Sequence, residues 1–127
     1  MKAQSSIEFI ILIGAVMFFL LAFFILMSGD IAGKQGEKQN LLVNEVAESV
    51  QNEINMASNS NNDYQREFNV QNSLENEEYD LSITEDMIYV RTDDGKHAVA
   101  LPIPPVQGTI QKGANIIKKQ NDTVYLN

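Results

Sequence analysis

From Phe9 to Met27 the chain carries nineteen residues without a charge or a side-chain hydrogen-bonding group. A helix rises about 1.5 Å per residue, so this run reaches about 29 Å, close to the roughly 30 Å hydrocarbon thickness of a bilayer. A secretory signal peptide would have a shorter apolar stretch ending at small residues, whereas Phe23-Phe24-Ile25-Leu26-Met27-Ser28-Gly29-Asp30 offers no such exit. The run therefore predicts a membrane span, with any proteolytic cut falling before it rather than after it.

Glu8 stands at the lip of this run. A carboxylate is costly to carry into lipid and tends to mark a function, so it calls for a partner. Around it, Gln4, Ser6, Glu8 and Leu12 form the pattern Q-x-S-x-E-x-x-x-L directly after Lys2-Ala3. The pattern resembles the class III signal peptide of archaeal type IV pilin-like proteins, and the match covers about the first 12 residues. The resemblance implies cleavage by a prepilin peptidase between Ala3 and Gln4, leaving Gln4 as the new N-terminus. It also implies assembly through the N-terminal helices, with Glu8 neutralising the Gln4 amine of an adjacent subunit. Such a pair is far better in a low-dielectric bundle than either charge alone, and deleting one partner strands the other. The implied partners are the membrane, the prepilin peptidase, the pilus assembly machinery and further copies of the chain in a homo-oligomeric filament. The implied life history is a single-pass precursor with its C-terminal domain outside, then a surface filament serving adhesion.

Charge gives topology little help. Lys2 and the α-amine on one side nearly cancel against Lys34 and Lys38 on the other, so the outside placement follows from the resemblance. The net charge of −8, from 17 acidic and 9 basic residues, excludes nucleic acid as a natural partner, since Lys118-Lys119 makes no basic stripe. Without cysteine there is neither a disulfide framework nor a thiolate metal site. Beyond the span and its extension, room remains for one small soluble domain of about 65 to 70 residues. Packing on its helix or on neighbouring copies has to supply what so small a core lacks.

After Met27 the chain turns polar, and Gly29, Gly33 and Gly36 predict a bend or a looser stretch. Helical periodicity then returns: Val43, Val46, Ala47, Val50, Ile54 and Ala57 form an apolar stripe, with Asn44, Glu48, Gln51, Asn52 and Asn55 on the polar side. A helix from about Ser5 to about Met56 would be about 78 Å long, more than a bilayer requires. Its distal stripe is expected to pack on the chain's own domain, and residues 9 to 27 on neighbouring subunits.

Ser58-Asn59-Ser60-Asn61-Asn62-Asp63 is a helix stop and linker. Alternation at Tyr79, Leu81 and Ile83, and at Ile88 and Val90, predicts half-buried strands. Asp94-Gly95 predicts a hairpin joining Ile88–Arg91 to Ala98–Leu101. Pro102, Pro104 and Pro105 predict an extended loop or sheet-edge crossing as far as Gly108. Asn115–Lys118 and Thr123–Leu126 predict a second hairpin around residues 119–122. The expected class is α+β, a long N-terminal hydrophobic helix extending into a small domain of five or six antiparallel strands. The expected divisions are a leader (1–3), a membrane and filament-core helix (4–28), an amphipathic extension (29–57) and a β domain (58–127).

Signals for chemistry are weak. His97 follows a turn and lacks a Ser or Cys partner motif, so it reads as solvated. The carboxylates at Glu75, Glu77, Glu78, Asp80, Glu85, Asp86, Asp93 and Asp94 lack the spacing of a calcium loop and read as a solvated acidic surface. Asn121-Asp122-Thr123 is an N-x-T acceptor sequence, which makes Asn121 a candidate for N-glycosylation in an exported domain. The expectation is a structural subunit with no catalytic residue, metal or cofactor. The alternative is a monomeric single-span anchor displaying a small binding domain.

Overall fold

The computed structural model describes residues 2–127, and for residues 2–5 and 30–32 the backbone alone. One helix, α1 (Lys2–Asn59), precedes seven strands: β1 (Gln65–Val70), β2 (Tyr79–Thr84), β3 (Met87–Thr92), β4 (Ala98–Pro102), β5 (Val106–Gly108), β6 (Gly113–Gln120) and β7 (Thr123–Leu126). The chain divides into two compact units, the first ending at Glu37 and the second running Lys38–Asn127. The layout is α+β, a long apolar N-terminal helix followed by a small β domain.

In the first unit the helix passes through Gly29, Gly33 and Gly36 with no interruption of its assignment, where the sequence suggests loosening. Each glycine costs up to about 1 kcal/mol relative to alanine. Extending an existing helix by one residue spares the unfavourable nucleation step, so isolated weak residues do not break it.

In the second unit the six stripe residues Val43, Val46, Ala47, Val50, Ile54 and Ala57 are each 4% exposed or less. They share a core with Phe68, Val70, Leu74, Tyr79, Ile88, Val90, Ile103, Ile117, Val124 and Leu126. On the polar side Asn44, Glu48 and Asn52 face solvent, while Gln51 is half-buried and donates from Nε2 to the Pro102 carbonyl at 2.7 Å. The helix runs to Asn59, slightly beyond the expected stop. Its end is closed by Lys119, whose Nζ donates to the Ser58 carbonyl at 2.8 Å and the Ser60 carbonyl at 3.0 Å. A cation there meets both the orphan carbonyls and the negative end of the helix dipole.

The strands form two sheets, a four-stranded one in the order β1-β6-β7-β5 and a three-stranded one in the order β2-β3-β4. Period-two alternation puts Phe68, Asn115, Ile117, Val124 and Leu126 on the inner face of the first. It puts Tyr79, Leu81, Ile88, Val90, Val99 and Leu101 on the inner face of the second. Two strands depart from the expected five or six. β1 has only two buried residues, Phe68 and Val70, among polar ones, too few for alternation to register. β5 lies in the proline-interrupted segment and pairs parallel to β7, from Val106 opposite Val124 to Gly108 opposite Leu126. The sheet is therefore mixed rather than wholly antiparallel. Pro104 and Pro105 precede β5 and so remove no donor from its three-residue ladder. At Gly108 φ is +110°, and a Cβ would lie 2.0 Å from the Leu126 carbonyl oxygen, so the parallel approach requires glycine.

The β6–β7 connection is tighter than the four residues expected. Gln120 pairs with Thr123, leaving Asn121 (φ 50°) and Asp122 (φ 59°) as a two-residue turn with the positive-φ pattern of type I′. Asn115 is a buried polar residue with its amide fully used: Nδ2 donates to the Gln111 and Gly113 carbonyls, and Oδ1 accepts from the Gln111 backbone and from Asn127 Nδ2. The buried Tyr79 hydroxyl donates to the Gln71 carbonyl.

Truncating Ile54 to alanine is expected to destabilise the second unit by about 2–5 kcal/mol through lost burial and a residual cavity. Leu41→Ala, at a side chain 69% exposed, should stay within about 0.5 kcal/mol. Urea unfolding of the full chain in micelles, followed by tyrosine fluorescence, measures both. The Lys119 side chain is 12% exposed, and Lys119→Met keeps its packing while removing both carbonyl contacts. A loss of about 1–2 kcal/mol in the same unfolding assay is expected.

Candidate functional site

The residues that carry the sequence motif lie on the first turns of α1. Ser6, Glu8 and Leu12 are exposed on the helix, while the side chains of Ala3 and Gln4 lie outside the described residues. The helical backbone places positions 4 and 8 one turn apart on the same side. Above Glu8 the surface is apolar on every side. Phe9, Ile10, Ile11 and Leu12, and onward to Leu26 and Met27, the large side chains are exposed all round. This is the one helix among the described residues that is long and apolar enough to cross a membrane. A contiguous exposed apolar surface of this kind marks a membrane or interaction site.

Glu8, Ala15, Ala22, Gly29 and Gly36 recur every seven residues, so the acidic side chain heads a row of small ones that drifts only about 20° per heptad. Ala22 is half-buried beneath its neighbours, in a shallow depression of about 550 Å³ flanked by Phe19, Phe23 and Leu26. Small residues in an apolar helix let a second backbone come close. Ser28, at the end of the run, donates its hydroxyl back to the Phe24 carbonyl at 2.8 Å, which satisfies it within the helix. The row was readable in the sequence from the seven-residue spacing, a signal overshadowed by the apolar run itself.

The second unit answers the remaining candidates. His97 is half-buried rather than solvated. Its Nδ1 lies 2.7 Å from Asn40 Oδ1, so the ring joins the start of β4 to the helix segment that carries the stripe. Four of the eight acidic residues form surface ion pairs: Glu75 with Lys38 at 2.7 Å, Glu78 with Lys112 at 3.1 Å, Asp80 with Arg91 at 3.2 Å and Asp94 with Lys96 at 3.1 Å. Among the described residues no group of His, Cys, Asp and Glu is placed to hold a metal ion. Asn121 is exposed at the tip of the β6–β7 turn. Lys119, grouped with Lys118 as surface charge when only the sequence is considered, instead points inward with Ile117 along β6, which strand alternation could have indicated.

The β3–β4 turn is built around Asp94. The Thr92 hydroxyl donates to its Oδ1 at 2.6 Å, the Lys96 backbone donates to the same oxygen at 3.0 Å, and Gly95 takes φ +70° between them. The Thr92 bond first, then those from the Lys96 backbone and side chain, hold the Asp94 carboxyl down at about 2. Burial and the neighbouring Glu78 push the Tyr79 hydroxyl up.

Compared with protein-family models, with curated proteins and with solved structures, the chain matches none.

The lowered Asp94 value sets the sign of a pH effect. A carboxyl depressed on folding contributes stability that is present above its ordinary value of 3.8 and lost as pH falls through about 2. In a two-dimensional NMR titration the Lys96 amide should keep its shift from pH 6 to about pH 4 and move below it. In the Asp94→Asn variant that low-pH movement should disappear.

Proposed function

We propose that the chain is the structural subunit of a type IV pilus-like surface filament, made as a membrane precursor and cut between Ala3 and Gln4. The observation that carries this reading is Glu8 at the head of a helix that is apolar on every side, within the Q-x-S-x-E-x-x-x-L pattern of Gln4, Ser6, Glu8 and Leu12. In the precursor, lipid covers the helix. In the filament, helices of other copies replace lipid, an exchange that costs little because both covers are apolar.

The cut creates a new α-amine at Gln4, one helical turn from Glu8. Within a filament the Glu8 carboxylate meets the amine of an adjacent copy, so that two groups too costly to bury singly are buried together. The row Ala15, Ala22 and Gly29 on the same side supports close helix approach. Assembly adds no chemistry of its own: the subunit is non-catalytic, the prepilin peptidase acts on it, and the assembly machinery extracts it from the membrane. The second unit is then carried on the outside, where adhesion is the role assigned to it.

Intact-mass and N-terminal peptide mass spectrometry of surface and membrane fractions tests the reading. A mature start at Gln4 is expected. A retained Met1-Lys2-Ala3 would leave a single-span anchor displaying a binding domain. Replacing Ala3 or Gln4 with a bulky residue should block the cut. Glu8→Val should be cut and remain in the membrane yet assemble poorly, and normal filaments from it on electron micrographs would remove the charge-pair mechanism.

A further inference from the structure

Of the chain's asparagines, Asn121 alone begins an N-x-S/T triplet, Asn121-Asp122-Thr123. The fold sets it at the tip of the β6–β7 hairpin, beyond the last ladder pair, Gln120 opposite Thr123. The turn is held from the Asp122 side: its backbone amide donates to Asn62 Oδ1 at 2.9 Å, and its carboxylate lies 3.5 Å from Lys119 Nζ. Asn121 takes no part in this. Its side chain is exposed and has no hydrogen-bond partner among the described residues. Other asparagines of this unit are engaged in the fold, Asn115 with the Gln111 carbonyl, Asn127 with that of Thr109 and Asn62 with the Asp122 amide. The positive φ of 50° suits asparagine at this turn position, so turn geometry uses the backbone of Asn121 and leaves its side-chain amide idle.

We infer that Asn121 is a modification site, the acceptor of a saccharide transferred from a lipid-linked donor on the outer side of the membrane. The triplet supplies what such a transfer recognises, an amide to be modified and a hydroxyl two residues on. The hairpin meets the steric requirement. An exposed side chain without a partner gives up no contact when a bulky group is attached to it, so the turn closes equally well with the saccharide in place. Thr123 is half-buried in the outermost ladder pair, and opening that one pair frees its hydroxyl while the rest of the β6–β7 ladder stays closed. In the transfer, Asn121 Nδ2 forms a bond to the anomeric carbon of the donor as the bond from that carbon to the phosphate oxygen breaks. The polyprenyl phosphate or diphosphate leaves with the electron pair, and one Nδ2 proton passes to a base of the transferase. The inference rests on the filament reading only in placing this unit outside the cell.

The test is peptide mass spectrometry of the full chain isolated from the membranes and surface of the cells that make it, with electron-transfer fragmentation of the tryptic peptide that begins at Gln120. That peptide should carry a saccharide mass, and its fragments should place the saccharide on Asn121. Asn121→Asp keeps a residue that tolerates positive φ and should lose the saccharide completely. Thr123→Val keeps the β-branched shape without the hydroxyl and should lose it as well. Thr123→Ser, which retains an acceptor sequence, should still be modified. A bare peptide, a saccharide that survives in Thr123→Val, or fragments that place it on another residue would overturn the inference. The N-terminal mass of the same sample reports on processing independently. A chain cut before Gln4 with a bare Asn121 sinks this inference alone, and a modified chain that retains Met1-Lys2-Ala3 sinks the filament reading alone.

Discussion

The demand of α1 for apolar cover governs the structure. From Phe9 to Met27 the large side chains are exposed all round the helix, whereas from Val43 to Ala57 the apolar residues are confined to one side and the β domain covers them. One continuous secondary-structure element therefore has two solvents. Its first part is long and apolar enough to cross a membrane, and its last turns pack in the core of the β domain. Glu8 stands exposed at the head of that all-round apolar surface, where a carboxylate is costly to carry into an apolar medium.

The second unit shows how a domain of this size holds together without disulfides. Its core is the helix stripe set against two small sheets, and several polar groups near that core are tied by hydrogen bonds. Lys119 closes the helix end, Asn115 uses both ends of its amide, the Tyr79 hydroxyl reaches Gln71, and His97 reaches back to Asn40. The Lys119 and His97 ties join segments far apart in the chain, and those of Asn115 and Tyr79 fix the loops beside them. The polar ties thus give the packing a single register, which the apolar residues, mostly Val, Ile and Leu, would specify less sharply by themselves.

Much of the architecture was legible beforehand, and the misses have physical causes. The stripe at residues 43–57 was readable because its 3.6-residue period extends over four turns. The two hairpins were readable from their turn dipeptides and alternation. β1 was not, because an edge strand needs few buried residues, and here only Phe68 and Val70 are buried. β5 was not, because prolines argue against a strand while its pairing requires only three residues and a glycine that tolerates close approach. At the helix terminus, the motif residues and the seven-residue row beginning at Glu8 were present in the sequence.

By itself, then, the sequence determined the properties that arise from neighbours along the chain: a membrane-length apolar helix, the motif at its head, the distal stripe and the hairpins. These are short-range because helical and strand periodicities are local. Tertiary structure alone decided the mixed sheet, the His97–Asn40 bond and which side chains flank Tyr89 on β3. Those depend on strand pairing across many residues, where a shift of one residue would turn every side chain to the opposite face.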